Sequence, residues 1–308
     1  MLPSDIYHQP HAADPVLEER MVLDLARRHG VRCAAVTRVD ETGGEARAYV
    51  LDDTLVLKVQ RPHRLRPRTS LAKEAFFLQQ LAAYPDIVVP HVLGYGRFDT
   101  IEYLVMTRMQ GVPALTVELA GEHRIVVLHQ LGRTLRRLHV LPQEPFYNSA
   151  LFPGTRTREE FVTRAWATLT QAVQVIEATP ALWQLAVAPA DLASRVLATL
   201  PATVDLVALH SNPGPVHTFV QPDTLAFVGL IDFGDAYISH PAFDWRWPTH
   251  ADRVALLHGY GDEAPVTDAF LAAWHAGLVL NDLAMLATRP ETRPQALERL
   301  HDLSMILV

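Results

Sequence analysis

Of 27 basic residues, 25 are arginine, and only Lys58 and Lys73 are lysine. Where arginine is the default cation, a lysine kept in a strand-like segment points to work that needs a compact point charge. Lys58 sits in Val56-Leu-Lys-Val59, where its ammonium is able to reach phosphate oxygens. Glu74, in Leu71-Ala-Lys-Glu-Ala-Phe76, follows on the next helical segment and is able to orient Lys58 through an ion pair. Ahead of both lies Thr42-Gly43-Gly44-Glu45, a glycine turn of the kind that lets backbone approach a phosphate. Far along the chain, His210-Ser-Asn212-Pro-Gly-Pro-Val-His217 links two strand-like runs, and Gly229-Leu-Ile-Asp232-Phe-Gly-Asp235 follows. A carboxylate directly after an apolar strand end is suited to offering oxygen to a phosphate-bound Mg²⁺. Taken singly, each feature has a plain structural reading: a hairpin, a solvated lysine, an exposed helix glutamate, a turn-capping aspartate. Their order and spacing together carry the phosphate chemistry.

These residues need elements to hold them. Residues 16–29 have helical apolar spacing and stop at Gly30. Strands are predicted over Cys33–Val39, Arg47–Leu51 and Thr54–Gln60, a helix over Ser70–Tyr84, and an antiparallel pair over Val92–Arg97 and Ile101–Thr107. After Gly111-Val-Pro113 the pattern turns helical, over 123–139, 158–178, 190–200, 251–287 and 291–305. One β-like island, residues 204–231, interrupts it. The expected class is α+β, a small sheet-rich lobe at residues 1–110 and a larger helical lobe at 111–308, with a ligand in the cleft between them.

Composition narrows the function. The 308 residues are 49% apolar and 20% charged, an ordinary globular balance. One cysteine, Cys33, excludes an internal disulfide framework and a cysteine-based zinc site. Residues 1–111 carry 14 basic and 14 acidic residues, so the net charge of −7 belongs to the remainder, the opposite of a nucleic-acid-binding face. Neither a leader peptide nor an apolar run of spanning length is read, so a cytoplasmic location is expected, with no nucleic-acid or membrane partner. Phosphate-loop, zinc-helix and nucleophile-elbow motifs are absent, and Gly94-Tyr-Gly96 is half a dinucleotide fingerprint in the wrong setting. Trp166, Trp183, Trp245, Trp247 and Trp274 are expected to pack the helical lobe, with Trp245 and Trp247 also candidates for lining a substrate pocket.

With these residues in view, the chain resembles the aminoglycoside phosphotransferase family, small-molecule kinases with a protein-kinase-like fold, from about residue 20 to about residue 300. The most specific likeness is Leu230-Ile-Asp-Phe-Gly-Asp-Ala236 followed by His240-Pro-Ala-Phe-Asp244. The resemblance implies ATP or GTP as donor, Mg²⁺ as cofactor and a small-molecule hydroxyl as acceptor. It makes Asp232 the metal ligand, Lys58 the contact to the phosphates, Glu74 its holder, and Met106–Gly111, with Met106 and Met109, the hinge beside the base. Asp244 is implied to brace the catalytic loop.

The catalytic loop departs from the family's His-Gly-Asp, four residues, Asn. This chain reads His210-Ser211-Asn212, four residues, His217. An amide accepts no proton at neutral pH, so Asn212 is left to orient a hydroxyl through its carbonyl. His217 stands where a second metal ligand is implied, and imidazole suits softer ions than Mg²⁺. It is also a candidate to bind phosphate or to serve as a substitute base. Two functions follow: a phosphotransferase slowed by the loss of its base, or a nucleotide-binding pseudokinase. A helical binding module without a nucleotide is the third reading.

Overall fold

The computed structural model describes residues 11–65, 69–152, 157–200, 205–289 and 292–306. The opening residues 1–5, read above for a leader, lie outside them. The chain forms two compact units, neither of them continuous in sequence. One comprises Met1–Leu119, Asn148–Pro153 and His210–Tyr237; the other comprises Ala120–Tyr147, Gly154–Leu209 and Ile238–Val308.

The first unit is built on an antiparallel sheet of β1 (Val36–Asp40), β2 (Ala46–Leu51), β3 (Leu55–Gln60), β4 (Val92–Phe98) and β5 (Ile101–Thr107), in the order β1-β2-β3-β5-β4. Helix α1 (Glu19–Arg27) packs Val22, Leu25 and Ala26 against Tyr49, Leu51, Leu57, Val59, Tyr103 and Val105. Side chains alternate along a strand, so covering that set on one face turns Ala48, Val56, Lys58, Leu104 and Met106 to the other. The register agrees: Lys58 lies opposite Ala48 on β2 and Leu104 on β5, and Val56 lies opposite Met106. The hydrophobic effect of the α1 face thereby fixes where the Lys58 ammonium emerges.

Local chemistry sets the boundaries. The first helix ends as expected at Gly30, whose φ of +73° lets Val31 N–H reach back to Ala26 O at 3.3 Å. Strand β1 starts three residues later than the apolar pattern predicts, because Asp52 captures the amides of Ala34 and Ala35 at 2.8 and 2.9 Å. Gly94, half of the dinucleotide-like pair, has a packing role: a Cβ there would lie 2.1 Å from the His29 ring.

Helix α2 (Leu71–Leu81) follows β3, and β6 (Val112–Pro113), β8 (Thr218–Val220) and β9 (Phe227–Leu230) form a small antiparallel sheet within the same unit. Two glycines permit its close seating. Gly229 brings a Cβ position within 2.2 Å of Val88 O, and Gly111, at φ +82°, within 2.4 Å of Val220 O. A side chain at either position would push the backbones apart.

The second unit holds α3 (Gly121–His139), α4 (Glu144–Asn148), α5 (Arg158–Glu177), α6 (Pro189–Ala198), β7 (Val207–Leu209), α7 (His250–Gly261), α8 (Asp268–Thr288) and α9 (Arg293–Ile306). The predicted 251–287 helix is two helices, α7 and α8, interrupted by 262–267, where Pro265 denies a backbone donor. By length and composition α8 is apolar enough to cross a membrane, with a mean hydropathy of 1.4, contrary to the expectation of no such run. Here it is largely buried, and its Asp282 is ion-paired with Arg253 at 3.0 Å and Arg299 at 2.8 Å. Trp245, Trp247 and Trp274 are buried as packing residues, with Trp245 among Tyr260, Phe270 and Trp274, whereas Trp166 is exposed, contrary to the packing expectation. Asp244 accepts from His139 Nε2 at 2.9 Å, both fully buried, which makes it a brace inside this unit.

Candidate active site

Lys58, Glu74, His210, Asn212, His217 and Asp232 all belong to the first unit. Lys58 Nζ donates to Glu74 Oε1 and Oε2 at 2.8 and 2.9 Å and to Asp232 Oδ1 at 3.1 Å. Residues 174 positions apart in sequence thus share one ammonium. Glu74 is wholly buried, whereas the Asp232 side chain is 41% exposed, so the cluster opens to solvent through Asp232. Burial disfavours the charge on Lys58, but Asp232 and Glu74 outweigh it and hold the ammonium above the ordinary lysine range. Burial raises Glu74 above the usual carboxyl range, with Lys58 acting against it. For Asp232 desolvation also pushes upward, but Lys58 and then His217 reverse the sign, keeping the carboxylate ionised.

The segment after β9 is clamped from two sides. Ile231 N–H donates to His217 O at 3.1 Å, and Ile231 O accepts from His210 Nε2 at 2.9 Å. Asp232 then turns at φ +71°, a left-handed conformation that side chains rarely adopt. Farther on, Gly234 O accepts from Ser70 N–H at 3.3 Å and Asp235 accepts from the Thr69 hydroxyl. Ser70 is also the N-cap of α2, its hydroxyl accepting from Lys73 N–H. The start of the helix carrying Glu74 is therefore tied to the segment carrying Asp232. Phe233 completes the anchor, packed against Phe77 and His210 with ring centroids at 4.9 and 4.4 Å.

His210 is buried with both ring nitrogens engaged. Nε2 donates to Ile231 O, so Nδ1 is the acceptor for Asn212 N–H at 3.3 Å. It positions the loop. Ser211, at the place where the family has glycine, stands at φ +76°, a conformation glycine adopts without strain. The Asn212 carboxamide makes no hydrogen bond among the described residues and is half-buried. His217 Nδ1 donates to Asn212 O at 2.8 Å, which aims Nε2 at Asp232 Oδ2, 3.2 Å away.

The remaining expected residues fall nearby or apart. Met106 shares the Lys58 face of the sheet and is buried, while half-buried Ala48 and Val56 leave apolar surface beside the ammonium. Met109 is buried against Gly229. Gly43 and Gly44 lie in the β1–β2 turn, neither at positive φ, and space around Gly44 is open. Sequence reading assigned no role to Thr69, Ser70, Ser211 or Gly229. Only Gly229, an isolated glycine inside a strand pattern, carries a sequence signal.

The donor set decides what cofactor fits. Mg²⁺ is commonly held by one or two carboxylates with phosphate oxygens and water, and the ionised, solvent-open Asp232 carboxylate beside the Lys58 ammonium fits that need. Among the described residues no group of three His, Cys, Asp or Glu side chains forms a self-sufficient metal site. His217 does not fit Mg²⁺, since imidazole is a soft donor for a hard ion.

A model of the phosphotransferase enzyme family matches residues 37–276, and the chain belongs to that family. It is 27% identical over 223 residues to the aminoglycoside 3'-phosphotransferase of Streptomyces ribosidificus, covering 64% of this chain and 78% of that one. In structure it is similar to the apoenzyme of a macrolide 2'-phosphotransferase from Brachybacterium faecium, with a TM-score of 0.61, 22% identity, and 92% and 96% of the two chains covered. It is likewise similar to the GDP complex of aminoglycoside 2'-phosphotransferase IIIa, with a TM-score of 0.63, 16% identity, and 94% and 98% covered. The α+β fold with a small antiparallel sheet and a helical unit is the fold of these phosphotransferases.

Proposed function

We propose that the protein transfers the γ-phosphoryl group of ATP or GTP to a hydroxyl of a small molecule, in the cytoplasm where these nucleotides reside. The observation that carries this reading is the single cluster of Lys58, Glu74 and Asp232, an ammonium and an ionised, solvent-open carboxylate at 3.1 Å. Lys58 neutralises phosphate charge, Glu74 holds it in place, and Asp232 holds Mg²⁺, which when bound polarises the phosphates. The half-buried Asn212 orients the acceptor hydroxyl through its amide oxygen. Phosphoryl transfer has a loose transition state in which positioning and charge neutralisation provide most of the catalysis, so transfer survives the loss of a base. The missing base slows it by roughly 10²–10⁴-fold. Aminoglycosides and macrolides, the compounds named for the similar enzymes, are the first acceptors to try.

One observation favours a second reading, a nucleotide-binding pseudokinase: Asn212 is unable to accept a proton. The test is thermal melting with and without Mg·ATP and Mg·GTP, followed by transfer of labelled phosphate to an acceptor panel. Both readings require stabilisation by the nucleotide that Asp232→Ala removes; its absence rejects both. Labelled product identifies the phosphotransferase. Binding without product, even at high enzyme concentration, leaves the pseudokinase.

A further inference from the structure

Gln60 ends β3 on the Lys58 face of the sheet, two positions beyond the lysine, and is 2% exposed. Both ends of its carboxamide are engaged. Oε1 accepts from Leu71 N–H at 3.0 Å, and Nε2 donates to Glu45 O at 2.7 Å. The partners fix that orientation, because the flipped amide would set oxygen against oxygen and N–H against N–H. Leu71 is the first residue of α2, and its amide is one of the donors that a helix start leaves without an intrahelical partner. Glu74 stands one turn further along the same helix. Glu45 closes the Thr42-Gly43-Gly44-Glu45 turn, and its carbonyl also accepts from Arg61 N–H at 2.8 Å. One buried amide therefore joins the strand that carries Lys58, the helix that carries Glu74 and the base of the glycine turn. No charged side chain does the same, since a carboxylate has no proton to give and an ammonium has no lone pair to offer.

We propose that Gln60 is a positioning residue for the phosphates of the nucleotide, a clip that holds the glycine turn and the Lys58–Glu74 pair at one fixed spacing. The inference rests on the nucleotide reading, since only a bound polyphosphate makes that spacing matter. Backbone amides at a glycine turn and an ammonium both address phosphate oxygens. Losing the clip therefore lowers affinity for the nucleotide and spares affinity for its parent nucleoside.

The experiment titrates the full-length protein with whichever of Mg·ATP and Mg·GTP stabilises it, and separately with adenosine or guanosine to match. Gln60→Met keeps the length of the side chain and removes both hydrogen bonds. It is expected to weaken nucleotide binding about tenfold, as two lost bonds of ordinary strength would, and to change nucleoside binding less than about twofold. Hydrogen exchange is expected to quicken at residues 42–46 and at the start of α2. A merely structural role predicts a lower melting temperature with both affinities kept or both reduced alike, and either result in the folded variant overturns the inference. Where Gln60→Met fails to fold, Gln60→Glu takes its place: ionised, it keeps an acceptor for Leu71 N–H and loses the donor to Glu45 O. Exchange is then expected to quicken at residues 42–46 alone, with nucleotide affinity lowered and nucleoside affinity held; an unchanged nucleotide affinity overturns the inference. A wild type that binds neither nucleotide overturns the nucleotide reading along with it.

Discussion

Replacing Lys58 by methionine isolates the energetics of the site from its chemistry. At 2.8 Å, the Lys58–Glu74 attraction is roughly 6 kcal/mol at an effective dielectric constant of 20. Desolvating each ion offsets several kcal/mol of this, so the intact pair is close to neutral in stability. Lys58→Met removes only the favourable part and strands Glu74, which is fully buried, beside the Asp232 carboxylate. Asp232 is able to rehydrate and adds little. The expected loss for the apo-protein at pH 7 is about 3–5 kcal/mol. The double variant Lys58→Met/Glu74→Gln carries no stranded charge and should recover to within about 1.5 kcal/mol of wild type. The pH dependence has a definite sign. Burial holds the Glu74 pKa above its unfolded value, and losing Lys58 removes the main opposing influence. A carboxyl raised in the folded state stabilises below its unfolded pKa, and that stability is lost as pH rises through the folded value. The deficit of Lys58→Met relative to wild type should therefore shrink between pH 7 and pH 5. Urea unfolding of the four proteins of the cycle at both pH values measures it. A Lys58→Met loss under 1 kcal/mol, or a double variant worse than the single, refutes the buried-pair argument.

Gly229→Ala would put a methyl 2.2 Å from Val88 O and force apart the Leu230 N–H···O bond there, now 3.1 Å. It should destabilise by about 1–3 kcal/mol and weaken Mg·ATP stabilisation in the same melting assay, since β9 leads directly to Asp232. On the α1 face, Asp14 accepts from buried Arg47 and Arg61, with the Arg61 hydrogen bonds holding its pKa near about 2. Asp14→Asn should lose about 2 kcal/mol at pH 7. Because a lowered carboxyl stabilises only above its unfolded pKa, the difference from wild type should close as pH falls from about 4 toward 2, read by chemical denaturation across that range.

The strand and helix types of the first hundred residues were legible because they depend on short-range patterns: the β-branched run of β3, the apolar stripe of α2, the stop at Gly30. So were Lys58, Glu74 and Asp232, since residue type and order disclose charge chemistry without coordinates. The two-helix break at residues 262–267 was missed although Gly261, Pro265 and the N-cap Thr267 mark it, because apolar residues recur on both sides and the two runs were read as one. For the tryptophans after Asp244 two readings stood side by side, and burial decides for packing. An aromatic run is compatible with a pocket or a core, and only burial separates the two.

What the sequence by itself determined is the inventory: a lysine spared among arginines, a carboxylate after an apolar strand, and an amide and an imidazole where a base and a metal ligand were expected. What the tertiary structure decided is which of these meet and how each side chain is aimed. The ammonium of residue 58 and the carboxylate of residue 232 come within 3.1 Å because α1 covers one sheet face and Gly229 lets β9 approach Val88. His210 became a positioning residue once both its nitrogens were engaged, and His217 was aimed by its bond to the Asn212 carbonyl at the Asp232 carboxylate. Hydrogen-bond direction and backbone approach are long-range properties of the packed chain, and no local spacing rule encodes them.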